Sequence, residues 1–586
     1  MTKVMYTSSQ KSSEKHTTLF LIMMRLNLKY VLSSLILMVT CVTLMLWHRC
    51  DFVRTFPKRF YASQYQQITE AVEIDCVINQ EYSIGCRREG DEVYLPFSFI
   101  KKYFEVYGSL NTIDGITHFD WNHSYGKVNL PRTIYDPKGI FMYFENYNVE
   151  VRDRVKCISA SAGVPISIQW ESQGYFYATQ IAQFGLSHYS KNLTEPEPTR
   201  KIIEDADSNQ FQWITLRNSS ISRNYSADVT GVVNFATTNQ FDSAIYADMD
   251  HVVDLIFSVD LYFQLNASLI ITMQNRETLQ LYNLHYILAD LSITVQDSNI
   301  YHGIGINALQ KWKRITRDLF VDVQKGVAAS YVSRKQKMRR NELKVVRIAF
   351  LGNGAFDNLT LSTSEHIQHF YDAADWFLRH QNQSTGGFSI PVRRRLASGF
   401  EDLQKGWLSA MAQGHAISLL SRAFYHSGGN RKYLKAAVNA LKPFRIPSSQ
   451  GGVLAKFMNI LPWYEEYPTT PASFVLNGFI YSLLGLYDLH QVAPKTSKGA
   501  KEAGILFNQG MESLKKMISF YDTGSGTVYD LRHVTLGSSP NIARWDYHVT
   551  HVNQLLLLAT IDDDPIFSQT AERWRGYMLG KRAMHN

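Results

Sequence analysis

The sequence predicts an α+β multidomain protein: an N-terminal β-hairpin domain, a central β-barrel/sandwich domain and a C-terminal α/α barrel (toroid), preceded by a single transmembrane helix. Three observations carry this. Residues 30–47, YVLSSLILMVTCVTLMLW, contain no charge, and that length is close to the shortest apolar run that spans a bilayer as a helix. Short alternating runs such as EVYLPFSFI, KGIFMYF and LKVVRIAFLG recur between turn residues up to about residue 361, which is the period of strands. From about residue 362 the apolar positions fall at helical spacing instead, in HIQHFYDAADWFLRHQ, GHAISLLSRAFYHSG, SFVLNGFIYSLLGLYDLHQV and HVNQLLLLATI. Helix pairs joined by irregular loops point to a helical barrel or toroid.

Taken in order, residues 1–29 read as a cytosolic tail and 30–47 as an uncleaved signal anchor. A cleaved signal peptide fits less well, because a long segment precedes the apolar run and Trp47, His48 and Arg49 follow it in place of a small-residue cleavage site. Basic residues flank both ends of the run, so orientation rests on glycosylation sequons. Asn122, Asn192, Asn218, Asn224, Asn266, Asn358 and Asn382 each begin an Asn-x-Ser/Thr triplet, and all follow the span, which places the body in a lumen. Residues 48–75 lack a core pattern and read as a stem. Residues 76–150 read as hairpins. Residues 151–361 read as a β-barrel or sandwich with a helix inserted near 175–190, which is expected to dock onto the helical domain. Residues 362–586 form the expected catalytic domain.

At 586 residues, the chain exceeds what one core supports. Apolar residues make up 45% and charged residues 19%, a globular balance. Tyr is abundant, at 33 residues; its flat face and polar tip suit sugar grooves and sheets alike. The net charge of +8 favours an anionic partner, but no block of five basic residues occurs, which disfavours nucleic acid. The five cysteines match no zinc pattern. Cys76 and Cys86 are either a local disulfide or free buried thiols.

Three polar, aromatic stretches interrupt the apolar helices: YEEYPTTP at 464–471, GSGTVYDLRH at 524–533 and NIARWDYHVTHVNQ at 541–554. Prolines make the first a rigid loop. Each stretch has a bland alternative: an acidic helix entry with a packed Tyr, a Gly-loosened turn, and histidines that are structural more often than catalytic. Asp205-Ala-Asp207 and Asp248-Met-Asp250 have the Asp-x-Asp spacing of metal-dependent glycosyltransferases, but no strand–helix alternation surrounds them. Asp562 to Asp564 read as a helix cap. No dinucleotide, P-loop, nucleophile-elbow or H-E-x-x-H motif is present.

These loops resemble the D-glucuronyl C5-epimerase family of heparan sulfate and heparin biosynthesis. The likeness is carried by RDRVKCIS at 152–159, GYFYATQIAQFGLSHYSKNLTE at 174–195, GWLSAMAQG at 406–414, WYEEYPTTPASFVLNGFIYSLLGLYDL at 463–489, YDTGSGTVYDLRH at 521–533 and NIARWDYHVTHVNQ at 541–554. It runs from about residue 130 to the C-terminus and is looser over 200–360. The resemblance implies a Golgi-lumenal, single-pass type II homodimer acting on N-sulfated heparosan, converting D-glucuronate to L-iduronate. It implies catalytic roles for Tyr467, Tyr529, Tyr547, Arg532 and Glu466, and substrate contacts from Tyr135, Tyr147, Arg152, Arg154, Gln169, Tyr175, Gln180, Gln183, Tyr189, Asn477, Tyr481, Asn541 and Arg544. It also implies a structural calcium ion at Asp205, Asp207, Thr230 and Asp357, oxygen donors of the kind calcium takes.

The chemistry fits such a residue set. Removing the C5 proton of a uronate spreads a second negative charge into its carboxylate, which a guanidinium such as Arg532 would meet. Inversion needs removal from one face and donation from the other. Tyr467 and Tyr547 are expected on opposite faces, a neighbouring arginine lowering a phenol from its ordinary pKa of about 10, with Glu466 as an alternative base. Proton exchange needs no redox cofactor. A polysaccharide lyase, which starts with the same abstraction, and a silent heparan-binding subunit are the competing readings.

Overall fold

The computed structural model describes residues 71–78, 80–103, 106–122, 126–226, 229–238, 243–264, 267–330 and 338–584. The expected transmembrane helix at 30–47, the tail before it and most of the stem lie outside these residues. Among the described residues no helix is long and apolar enough to cross a membrane. The longest, Lys498–Met517, has 20 residues and carries Lys501, Glu502, Glu512, Lys515 and Lys516, a solvated face that hydrocarbon would not accept. The fold class is corrected on this point: it comprises hairpins, sandwiched sheets and helices, with no helix among the described residues that could cross a membrane.

The described residues up to Trp121 cluster as one compact unit and those from Asn122 as another. In the first, Val72–Ile78, Tyr82–Glu89 and Glu92–Tyr94 form an antiparallel sheet, α1 spans Phe97–Tyr103, and Tyr107–Ile113 pairs with Ile116–Asn122. A disulfide joins Cys76 to Cys86 across the first hairpin, and Cys157 is a buried free thiol. Cys41 and Cys50 lie outside the described residues.

The second unit contains two sheets of seven and six strands, with no strand in common. They enclose one apolar core, so this region is a sandwich and not a closed barrel. Strand Ser268–Asn275 shows why the sequence folds this way: SLIITMQN alternates, and Leu269, Ile271 and Met273 are fully buried on its inner face. Asp248 and Asp250, on the strand Ile245–His251, pair with Arg347 and Lys344 across the strand Leu343–Leu351, which accounts for that Asp-x-Asp pair without a metal. Helix α3 (Leu319–Ala329) follows the edge strand Trp312–Asp318 of the six-stranded sheet and is capped by Asp318.

The helical region comprises α4 (His366–His380), α5 (Ala410–His426), α6 (Arg431–Asn439), α7 (Leu476–Val492), α8 (Lys498–Met517), α9 (Trp545–Leu558) and α10 (Pro565–Met578). Helix α2 (Ala178–Thr194), early in the chain, packs against α4 and α5. One core cluster unites all of these with residues 135–158. Asp564 caps α10, its side chain accepting from the Ile566 N–H. Helices α5 and α7 touch backbone to backbone: a Cβ on Gly485 would lie 2.2 Å from the Gly414 carbonyl oxygen.

A buried ion pair fastens the segment before residue 150 to this frame. Arg422 on α5 and Asp488 on α7 are 2.6 Å apart and fully buried. The Tyr135 hydroxyl donates to Asp488 at 2.8 Å, and Arg422 donates to the Tyr135 hydroxyl at 3.0 Å and to the Gly139 carbonyl at 3.1 Å. Tyr189 on α2 donates to the Lys138 carbonyl at 2.7 Å. Replacing Asp488 with Leu strands a buried guanidinium, so urea unfolding should show a loss of about 3–5 kcal/mol; an unchanged midpoint would mean the pair does not anchor the segment.

Candidate active site

Three loops converge because backbone hydrogen bonds stitch them together. The first leaves strand Leu461–Tyr464. Glu465, fully buried, accepts from the Ser473 hydroxyl at 2.7 Å and the Phe474 N–H at 3.0 Å, closing the loop on itself. The second is held by Tyr529, whose N–H donates to the Asn541 carbonyl at 2.7 Å and whose carbonyl accepts from Leu476 N–H at 3.2 Å, and by Leu531 N–H donating to Ser473 at 3.0 Å. The third begins α9, where Tyr547 meets Tyr529 edge-on with ring centroids 4.8 Å apart.

The first and third of these loops, with α2, the start of α7 and residues 147–169, line a cavity of about 140 Å³, while the second loop, with Tyr529, contributes no lining residue. It is lined by eleven expected residues: Tyr147, Arg152, Arg154, Gln169, Gln180, Gln183, Glu466, Tyr467, Asn477, Tyr481 and Tyr547. Larger hollows of about 250 Å³ beside His188, His366 and His369 and about 960 Å³ along 127–146 contain none of the five expected catalytic residues. The polar groups of the small cavity set it apart. Thr179 Oγ1, Gln180 Oε1, Asn477 Oδ1 and Glu466 Oε2 are buried without a hydrogen-bond partner in the protein, a cost that a ligand's hydroxyls would remove. Arg152 and Arg154 donate to the neutral amides of Gln183 and Gln169, at 3.1 and 3.3 Å.

Other expected residues lie elsewhere. Arg532 spends its fork on Asp530, at 2.8 and 2.6 Å, and Asn541 donates to the same carboxylate at 2.8 Å. Both surround Asp530 and neither lines the cavity, so the expectation that Arg532 meets the substrate carboxylate is revised: its two parallel donors are already matched. Arg544 pairs with Asp546 at 2.9 Å and lies over the Tyr547 ring at 5.6 Å. Tyr175 stacks against Trp170, with centroids 6.4 Å apart. Tyr135 and Tyr189 belong to the Arg422 anchor and do not line the cavity. His548 and His551 both bond Thr527 at 3.0 Å and are structural.

Among the described residues no group of three or more His, Cys, Asp or Glu is arranged to hold a metal. Asp205 accepts from its own turn, Asp207–Asn209, while Asp207 accepts from Gly231 N–H at 2.9 Å. Burial raises the Asp357 carboxyl, and the Asp260, Asp207 and Asp205 carboxylates raise it further. Thr230 falls in strand Val229–Thr237, its side chain outside the described residues.

Sequence reasoning passed over Trp170, Tyr177, Thr179, Arg394, Trp407, Met411 and Thr550. Tyr177 and Thr179 sit between expected positions in GYFYATQIAQ and were within reach. Arg394 sits in an Arg-Arg-Arg run that reads as solvated charge, yet its guanidinium lies over Trp170 at 4.9 Å and Tyr467 at 6.0 Å; only the fold reveals this.

Electrostatics overturns the expectation of an easily ionised phenol. Burial holds Tyr467 and Tyr529 well above the usual tyrosine value, with the Glu466 carboxylate raising them further. Burial also raises Tyr547, as does Glu466, while Arg154 and Arg544 lower it without reversing the direction. Burial pushes Glu466 itself up to about 7, against a lowering by the Tyr467 hydroxyl and Arg394.

The chain matches the family model "D-glucuronyl C5-epimerase C-terminus" over residues 381–576 and the model of the β-sandwich domain of the same enzyme over 229–353. It is 39% identical over 560 residues to the D-glucuronyl C5-epimerase of Caenorhabditis elegans, covering 88% of this chain and 90% of that protein. The chain belongs to the D-glucuronyl C5-epimerase family. An uncharacterised protein of Methanocaldococcus jannaschii is 31% identical over 179 residues, 30% of this chain and 53% of that one. A family 11 carbohydrate-binding module of a cellulosomal cellulase from Clostridium thermocellum overlays with TM-score 0.17 at 12% identity, covering 28% of this chain and 95% of the module; likeness at that level carries no argument. Membership makes this epimerase an isomerase, and two of its three family loops, those carrying Glu466 and Tyr547, line the cavity.

The raised Glu466 value has a consequence for stability. The folded chain holds this proton more tightly than the unfolded one, so burial costs little below the ordinary carboxylate value of 4.5 and more as pH rises to about 7, ~3 kcal/mol in all. Glu466→Gln should therefore match the parent in urea unfolding at pH 4 and exceed it by up to ~3 kcal/mol at pH 8. Equal stability at both pH values would show that the carboxylate is hydrated.

Proposed function

We propose that this chain inverts C5 of D-glucuronyl units within an N-sulfated heparosan chain, giving L-iduronyl units, with Glu466 as the base and a phenol as the acid. The observation that supports it most is a carboxyl pushed up to about 7 with one unpartnered oxygen, in a cavity where burial also raises Tyr467 and Tyr547. A base is most effective when its pKa lies near working pH. Phenols raised above their usual value remain protonated and donate. Glu466 would take the C5 proton from one face, leaving electron density in the uronate carboxylate; Tyr467 or Tyr547 would deliver a proton to the other face, with Tyr529 supporting Tyr547 through its ring. Arg152 and Arg394, both half-buried, and Arg154, which is exposed, would meet the doubled negative charge, Arg152 and Arg154 being engaged by neutral amides. Gln180 and Asn477 would accept from sugar hydroxyls. The C4 substituent stays bonded, so the chain is neither cut nor left unsaturated, which separates this reaction from a lyase.

A lumenal, Golgi-type compartment is proposed with it. The Cys76–Cys86 disulfide supports an oxidising setting, and the sequon residues Asn192, Asn218, Asn224, Asn358 and Asn382 are exposed. A homodimer is proposed too: Leu110, Ile113 and Ile116, on the paired strands Tyr107–Ile113 and Ile116–Asn122, are 72%, 59% and 62% exposed, apolar surface that a second copy would cover. A calcium ion is proposed at Asp207 and Asp357, whose carboxylates are near enough that Asp207 raises Asp357 and a cation would relieve both.

Heavy water tests the chemistry. Incubated with an N-sulfated oligosaccharide, the parent should place deuterium at C5 and invert it. Glu466→Gln should do neither from the glucuronyl side, with a loss of at least about a hundredfold. Tyr467→Phe or Tyr547→Phe, whichever removes the acid, should still exchange C5 without inverting it. Full inversion by Glu466→Gln would assign the base elsewhere, and an unsaturated product would identify a lyase.

A further inference from the structure

We infer that Gly478 is a positioning residue for the Glu466 carboxyl, the absent side chain on α7 being the space in which the carboxyl sits. This deepens the reading of Glu466 as base and rests on it. A Cβ built on Gly478 would lie 2.3 Å from Glu466 Oε2, 2.6 Å from its Cβ and 2.9 Å from its Cδ. Real Cβ atoms do not come so close, so either residue would have to move.

Backbone geometry gives no other reason for the glycine. Gly478 is absent from the positive-φ glycines; it is the third residue of α7, where alanine is the better helix former. The glycine therefore serves space and not conformation. Nor can the loop yield cheaply. Glu465, next to Glu466, is held by Ser473 and Phe474, and the Glu465 carbonyl accepts from Ala410 N–H at 2.9 Å. The turn that carries Gly478 also carries Asn477 and, one turn on, Tyr481, both lining the cavity. A methyl group here would drive Glu466 towards the saccharide, off the line to C5. Gly510 is the structural counterpart: its added Cβ would meet Leu483 Cδ2 at 2.3 Å, an apolar branch outside the cavity.

The test compares Gly478→Ala, Gly510→Ala, Glu466→Asp and Glu466→Gln as full-length chains. Gly478→Ala should lower kcat about a hundredfold, the cost of an ångström-scale misplacement, with KM within about threefold and circular dichroism unchanged, and should displace the acidic limb of the kcat/KM profile. Gly510→Ala should change melting temperature and leave that limb in place. Glu466→Asp, which withdraws the carboxyl from α7 while keeping Gly478, should reproduce the kcat loss and the displaced limb, and it answers the question even if Gly478→Ala does not fold. Parent kcat and limb in Gly478→Ala or Glu466→Asp, with Glu466→Gln inactive, would overturn the positioning role alone. An active Glu466→Gln would overturn the base assignment instead.

Discussion

Glu466 has one carboxylate oxygen with no partner in the protein, at a place from which water is largely excluded, and the same burial makes each neighbouring phenol harder to ionise. The two effects act in opposite directions chemically. Desolvation disfavours charge on every group, so the carboxyl, starting from 4.5, arrives near 7, while the tyrosines, starting from 10.0, move further from neutrality. One environment thus separates a base from its acids without assigning each a special partner. Had a guanidinium faced Tyr467 closely enough to dominate, the phenol would have been the base and the carboxyl a bystander.

The frame around the cavity spends several buried polar groups on fixing geometry. Glu465 and Glu466 are neighbours with different tasks: the first is saturated by Ser473 and Phe474 and shapes the loop, the second is left open. Asp530 behaves like Glu465, gathering Arg532 and Asn541. The Arg422–Asp488 pair brings Tyr135 and Gly139 onto α5 and α7, and so sets the start of the segment that reaches the cavity with Tyr147, Arg152 and Arg154. Buried ion pairs are weak sources of net stability but strong constraints on arrangement.

Much was legible in the residues. The change from strand to helix periodicity near residue 362 matches the end of strand Asn353–Ser362 and the start of α4 at His366. The three Tyr-bearing loops were visible as polar interruptions of apolar helices, and their likeness to a known family named the chemistry. The roles of Arg532, Arg544, Tyr135 and Tyr189 were not legible, because a charged or phenolic residue looks alike in sequence whether it faces a ligand or a neighbour in the same loop. Arg394 shows the converse, a cation in a basic run that packs on the ring of Trp170, far away in the chain.

The sequence by itself determined where strand character gives way to helix and which family the loops belong to, because periodicity and motif are local properties of the chain. It misplaced EVYLPFSFI, whose second half is the helix Phe97–Tyr103, and KGIFMYF, which forms turns, because short apolar runs look alike in either state. Only the tertiary structure decided which residues share a cavity, which arginines are already matched, and in which direction each titrating group moves. Those depend on burial and on distances between segments far apart in sequence, as with Gly478 beneath Glu466, where what matters is an atom that the residue lacks.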